Sequence, residues 1–311
     1  MSSDTEPPLV SIGLPAYNRP HFLQQTLESL TQQTYQNLEI IVSDDCSPGE
    51  ATKTVIQEFV SRDSRIRPFR QSENLRPVRN SIFTLRQATG KYFFWAGEDD
   101  LWDKRFFETG VASLEDNPSF HAWKSAMVSI DSYGRVVRNY PPCSWMTSTA
   151  DKRKDLVKYL RDPEINGKAN TYHSIFLRTA LVEALTYYHI DNRNWGADCC
   201  FVLAFLARFN LMASDEVLFY KRMVRPTDSP TRVDVITIKN PSRHIFSLKK
   251  CRRYIRENCK AVKGTPYERL VLVTLILRLP TAMRNYLLKR LRVFNVVRAI
   301  RKRKRNRAGR D

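Results

Sequence analysis

The sequence predicts an α/β fold with a mostly parallel sheet flanked by helices. Three observations carry this expectation. Strand and helix signals alternate over about the first ninety residues, the strands read as buried, and polar, carboxylate-bearing turns follow them. Residues 9–14 form the first strand, stopped by Pro15. Helix signals begin near Pro20, where Phe22, Leu23, Leu27 and Leu30 recur at helical spacing. A second strand, residues 38–43, ends at the polar turn Asp44, Asp45, Cys46, Ser47, Pro48, Gly49. A helix over 52–61, a short strand over 66–70, a helix over 79–88 and an aromatic strand over 91–96 complete the alternation. This βαβαβαβ order implies parallel strands with helices on both faces. Residues 121–137 then read as strand–turn–strand, with the turn at Asp131 to Gly134. Helices are expected over 151–161 and 177–186, an apolar helix opens after Asn194 and runs to Phe209, and 217–223 is a last strand.

The 311 residues hold 51 Lys and Arg against 32 Asp and Glu, a formal charge of +19. From Pro241 onward there are 22 basic and 3 acidic residues, so residues 1–240 are neutral and the tail carries the excess. Such a division points to two regions with different tasks. We expect a body over 1–240, with a nucleotide-binding half at about 9–103 and an acceptor half at about 104–240, followed by a basic helical region over 241–311. The six cysteines and five histidines form no metal-ligand spacing, and free thiols in a reducing compartment are expected. The acidic, proline-containing start lacks the pattern of a signal peptide, and no apolar run reaches the roughly 20 residues of a spanning helix.

Parallel sheets bind ligands at the carboxyl ends of their strands. Pro15, Tyr17 and Asn18 follow the first strand, Asp44 and Asp45 the second, and Glu98, Asp99 and Asp100 the aromatic one. Three adjacent carboxylates repel one another and suit a hard divalent cation with a phosphate on its far side. The competing reading is an acidic turn capping the next helix. Asp45 suits a nucleotide base or ribose, or an Asx turn. Asp198, behind Gly196, reads as a helix cap or as a general base. Dinucleotide and P-loop glycine motifs are absent.

Taken in order, these segments resemble a family 2 glycosyltransferase, a nucleotide-diphospho-sugar transferase of the GT-A fold. The matching stretches are residues 10–19, residues 30–47, the set Asn74, Arg79, Asn80 and Gly90, and residues 92–102, within a likeness covering about 9–225. The resemblance implies that Asp45 binds the base, with Pro15 and Tyr17 lining its pocket and Asn18 and Arg79 beside the donor. It implies Asp100 as main ligand of Mn²⁺ or Mg²⁺, Asp99 at the metal and near the sugar or ribose, and Asp198 as the base of an inverting transfer. Glu98 departs from the family's usual Asp, and the Gln-x-x-Arg-Trp segment of processive synthases is missing after Asp198. Transfer of one sugar, with uridine diphosphate the family's commonest carrier, to a polysaccharide, lipid-linked or cell-surface glycan acceptor is therefore expected.

The tail from 265 to 305 reads as helices broken at Pro280, with Met283, Leu287, Leu291, Phe294 and Val297 on one face among basic residues. A basic amphipathic helix suits an anionic membrane surface, which implies a cytoplasmic protein held peripherally at the inner face of the membrane. The same face packing on the body is the other reading of this pattern. The alternative function is a basic membrane- or nucleic-acid-binding protein with a non-catalytic sugar-nucleotide body; carboxylates along the ligand edge argue against nucleic acid.

Overall fold

The computed structural model describes residues 6–187, 197–223 and 248–278. Its first half follows the expected alternation: β1 (Val10–Ala16), α1 (Pro20–Thr31), β2 (Leu38–Asp44), α2 (Ala51–Arg62), β3 (Ile66–Arg70), α3 (Arg76–Gln87) and β4 (Tyr92–Trp95). Then come β5 (Leu101–Trp102), α4 (Phe106–Glu115), β6 (Ala122–Ile130), β7 (Val136–Asn139), α5 (Lys152–Arg161), β8 (Ile175–Leu177), α6 (Arg178–Tyr187), α7 (Ala197–Leu206) and β9 (Leu211–Arg222). Two C-terminal helices follow, α8 (Leu248–Ala261) and α9 (Glu268–Leu277).

The strands form one sheet in the order β3-β2-β1-β4-β8-β6-β9-β5, with β7 paired to β6. β3, β2, β1 and β4 are mutually parallel. Beyond β4 the sheet is mixed, since β8 runs antiparallel to both β4 and β6 while β6 and β9 are parallel. The parallel half is the part whose βα alternation was visible in sequence; β8 is too short to announce a direction. Pro15 does not stop β1. It lies opposite Ser43 of β2, beyond the last β1–β4 pair at Gly13 and Trp95, where the missing N–H leaves no ladder bond unmade.

Both faces of the sheet are covered. Along β4 the side chains alternate, so Tyr92 and Phe94 join a core with Leu14, Leu27, Val42 and Phe106, while Phe93 and Trp95 join another with Leu85, Leu181 and Phe201. Each such aromatic contributes about 1.5–3 kcal/mol by leaving water. The packing is close at Gly13, where an added Cβ would lie 2.3 Å from Thr84 Oγ1 and 2.7 Å from Phe93 Cζ. Gly13→Ala is expected to cost about 1–3 kcal/mol by overpacking, read as a lower urea midpoint with an unchanged m-value.

The described part of the basic region packs on the body: α8 lies against α7, and α9 against α5 and α8. Ile255 of α8 and Leu275 of α9 enter the second core. The boundary near residue 240 and the amphipathic face from Met283 to Val297 lie outside the described residues. Among the described residues no helix is long and apolar enough to cross a membrane.

Candidate active site

Three turns at the carboxyl edge of the parallel half make the floor of the site. After β1, Tyr17 is exposed, and its N–H donates to Glu98 Oε2 at 2.6 Å. Asn18 takes a left-handed backbone, φ 53°, and its N–H donates to Ser47 Oγ at 2.8 Å. After β2, Asp44 is buried and accepts from Ser47 N–H and from Arg70. The neighbouring Asp45 is also buried and accepts from Leu75 N–H at 2.7 Å. Burial raises the Asp45 carboxyl above its ordinary range, against the pull of the Leu75 and Arg76 amides. Cys46 and Arg76 share the left-handed conformation, φ 60° and 70°. Non-glycine residues with positive φ are uncommon and gather at functional sites; all three lie on the turns around Asp45.

Arg79, expected beside the donor, is exposed on α3 and makes no hydrogen bond or ion pair among the described residues. Its neighbour Asn80 is buried and structural. Ser43 Oγ donates to Asn80 Oδ1 at 2.6 Å, and Asn80 Nδ2 donates to the Ser43 carbonyl at 2.8 Å. Pro15 is half-buried at the end of β1.

The third turn is the acidic one after β4, and its three carboxylates have separate surroundings. Asp100 is completely buried. Its Oδ1 accepts from Arg222 N–H at 2.8 Å and its Oδ2 from Lys221 Nζ at 3.2 Å. The carboxylate folds back over the turn, so that a Cβ at Gly97 would lie 2.6 Å from Asp100 Oδ2. A larger residue there would displace the carboxylate. Asp99 and Glu98 remain partly exposed, with 19% and 15% of their side chains accessible. Arg19 bridges them, donating from Nη1 to Asp99 at 2.6 Å, with its Nε 3.7 Å from Glu98. Burial pushes the Glu98 carboxyl up to about 8, against the Tyr17 N–H and Arg19. Burial, then the Asp100 charge, raises Asp99 as well.

Among the described residues no group of three or more His, Cys, Asp and Glu side chains is arranged to hold a metal. Mg²⁺ and related hard ions nevertheless need only one or two carboxylates when substrate phosphates complete the shell. Asp99 and Glu98 are adjacent and partly exposed, which fits that requirement, but a cation would have to displace Arg19 and the protons that burial favours on both carboxyls. Asp100 fits it less well, because its oxygens already serve Lys221 and Arg222.

Arg222 was not visible as a site residue in sequence, and it organises the turn. Its buried guanidinium donates to the Asp99 carbonyl at 2.8 Å, the Asp131 and Ser132 carbonyls at 3.1 and 2.9 Å, and Gln25 Oε1 at 2.7 Å. Thr26 of α1 adds a bond to the Asp100 carbonyl at 2.9 Å. One side chain thus ties α1, the acidic turn and the β6–β7 hairpin together. Arg19, Lys221 and His173 were equally unsuspected; the only sequence signal was a basic pair, Lys221 and Arg222, ending a strand.

Asp198 is the second residue of α7. It is half-buried, and its Oδ1 accepts from Cys199 N–H at 2.8 Å. Its charge acts on Tyr172 and Glu164. The Tyr172 ring in turn stacks on Trp95 of β4 at 4.6 Å and 4°. Next in the chain, His173 Nδ1 lies 2.9 Å from the Trp95 carbonyl, and burial followed by the Lys221 charge pushes the ring down to about 3.

The fold has counterparts in solved structures. S. aureus TarS 1–349 in complex with UDP-GlcNAc superposes with a TM-score of 0.62 at 16% identity, covering 86% of this chain and 71% of that one. The mannosyltransferase PcManGT from Pyrobaculum calidifontis, in complex with GDP-Man and Mn²⁺, gives 0.52 at 16% identity over 93% and 81%. Among curated relatives, an uncharacterized glycosyltransferase of Rickettsia bellii is 24% identical over 270 residues, 87% of this chain but 36% of its own length. An uncharacterized glycosyltransferase of Bacillus subtilis, EpsJ, is 24% identical over 262 residues, 84% of this chain and 64% of its own. The chain therefore spans less than two thirds of the length of these relatives. The sequence pattern of glycosyl transferase family 2 matches residues 11–181, more than half of the chain. With the α/β sheet and its GT-A counterparts, that match decides the assignment: the chain belongs to glycosyl transferase family 2.

Proposed function

We propose that the chain transfers a single sugar, with inversion, from a nucleotide-diphospho-sugar to an acceptor hydroxyl. One arrangement carries this reading: the ends of β1, β2 and β4 bring Tyr17, Asp45 and Asp99 to one edge of a parallel sheet. Tyr17 and Pro15 form the wall for a base, uracil in our reading, and Asp45 holds the loop that faces it, with Asn18 shaping the turn. Arg79, exposed and uncommitted, is available to the diphosphate. Asp99, with Glu98, would hold Mn²⁺ or Mg²⁺. When bound, that ion neutralises the diphosphate and makes it a better leaving group. Asp100 braces the turn from beneath. Asp198 takes the proton of the acceptor hydroxyl as its oxygen attacks the anomeric carbon.

The acceptor is a glycan or lipid-linked glycan of the cell envelope, and an anionic membrane surface is the partner of the basic region. Supporting the latter, α8 exposes Arg252, Arg253, Arg256 and Lys260 while burying Ile255, Glu257, Asn258 and Ala261 against the body.

A screen of nucleotide sugars for nucleotide release, with Mn²⁺ or Mg²⁺ present, tests the reading; no release from any donor would overturn it. The two aspartates are expected to separate. Asp99→Asn should weaken metal-dependent UDP binding by roughly 10–100-fold with little change in melting temperature. Asp100→Asn should lower the melting temperature instead, because it removes the charge of a fully buried carboxylate that Lys221 and the Arg222 N–H hold. Calorimetry and thermal melts on both variants check this, and the reverse pattern would return the metal to Asp100.

A further inference from the structure

The acidic turn and the base pocket leave one polar group of the same edge without a role. His173 follows the 3₁₀ turn Lys168–Tyr172 and immediately precedes β8. Its Nδ1 lies 2.9 Å from the Trp95 carbonyl. A carbonyl only accepts, so Nδ1 carries the proton and Nε2 keeps a bare lone pair. The ring cannot turn freely. Phe219 of β9 lies 5.3 Å away at a tilt of 51°, and Tyr172 meets it edge-on at 5.5 Å. Among the described residues Nε2 has no hydrogen-bond partner, and the residue is only half-buried. Asp99 and Lys221 are close enough for both charges to act on the imidazole. The result is an oriented acceptor beside the charged groups Asp99 and Lys221.

The sheet order says which part of a ligand would meet it. Strands follow one another as β2, β1, β4, β8. Tyr17 and Asp45 belong to the β1 and β2 ends, the acidic turn to the β4 end, and His173 to the start of β8. A nucleotide-diphospho-sugar laid along this edge with its base at Asp45 and its phosphates at Asp99 brings its sugar to His173. An imidazole suits Zn²⁺, Cu²⁺ or Fe²⁺ better than the oxygen-seeking Mg²⁺ or Mn²⁺, which favours a hydroxyl over the metal as its partner.

On the transferase reading above, we propose that His173 is a specificity-determining residue of the donor-sugar subsite, its Nε2 accepting a hydrogen bond from a sugar hydroxyl. His173→Asn separates this from a structural role. The Asn amide can keep the bond to the Trp95 carbonyl but has nothing at the Nε2 position. The probes are UDP, UDP-GlcNAc, UDP-glucose, UDP-galactose and GDP-mannose, titrated calorimetrically with Mn²⁺ into wild type and variant. At an unchanged melting temperature, we expect UDP affinity to be retained. The extra affinity that wild type shows for a nucleotide sugar over its bare nucleotide should fall by about tenfold, the scale of one hydrogen bond. His173→Gln, whose amide oxygen reaches further, should recover part of that loss. The inference is overturned if the Asn variant binds every probe as wild type does. Equal losses for UDP and the nucleotide sugars, a Gln variant no better than Asn, or a wild type that binds no nucleotide sugar more tightly than the nucleotide would each overturn it too. A wild type that binds no nucleotide at all removes the transferase reading itself, which the bare UDP titration reveals separately.

Discussion

Asp198→Asn is expected to lower sugar transfer by roughly 10²–10⁴-fold, the usual contribution of a positioned general base. The amide has the shape of the carboxylate and its Oδ1 can still accept from Cys199 N–H, a bond of 2.8 Å in the wild type. The start of α7 should therefore survive the change, and only the capacity to take a proton is lost. The Asp198 charge acts on Tyr172 and Glu164, and no hydrogen bond among the described residues ties it to Tyr17 or Asp45. UDP affinity should accordingly stay at the wild-type value. Steady-state rates, with UDP calorimetry alongside, read both quantities. Near wild-type turnover would remove Asp198 from the reaction and leave it as a helix cap.

The second large effect is expected at Arg222. Arg222→Met preserves much of the apolar stem beside Phe22, over whose ring the guanidinium sits at 4.9 Å. It deletes the donors to the Asp99, Asp131 and Ser132 carbonyls and to Gln25. Each buried acceptor left unpaired costs about 1–3 kcal/mol, and breaking a buried charged network costs about 3–5 kcal/mol. We expect a loss of stability of about 3–5 kcal/mol in urea denaturation. Weaker UDP binding should accompany it, because the acidic turn loses its anchor to α1. Arg222→Lys should rescue little, since one ammonium cannot span three separate directions as a planar guanidinium does. A Met variant with wild-type stability and UDP affinity would show that Thr26 and the Arg222 backbone suffice to hold the turn.

Several features of this molecule were legible in the linear chain because they are local. The apolar spacing of Leu23, Leu27 and Leu30 places α1, and the aromatic run 92–95 marks β4, as the buried faces of both require. That Tyr17, Asp45 and Asp99 lie together could be read from the sequence because a parallel sheet sends its strand ends to one edge. What was not legible lay far apart in sequence. Arg222 is 123 residues from Asp99 and Lys221 is 121 from Asp100, so no spacing could pair them. The same holds for His173 and Trp95, 78 residues apart.

The division has a physical cause. Periodicity and turn chemistry record what each segment does with its neighbours, and these determined the α/β class, the edge that carries the site and the carboxylates on it. The labour within the acidic turn depended on which distant cations reached it. Only the tertiary structure sent Lys221 and Arg222 beneath the turn to Asp100 and left Asp99 and Glu98 toward the cleft with Arg19. Three adjacent acids look alike in a sequence. Burial and the long-range partners that offset it leave one of them fully enclosed and the other two partly exposed beside Arg19.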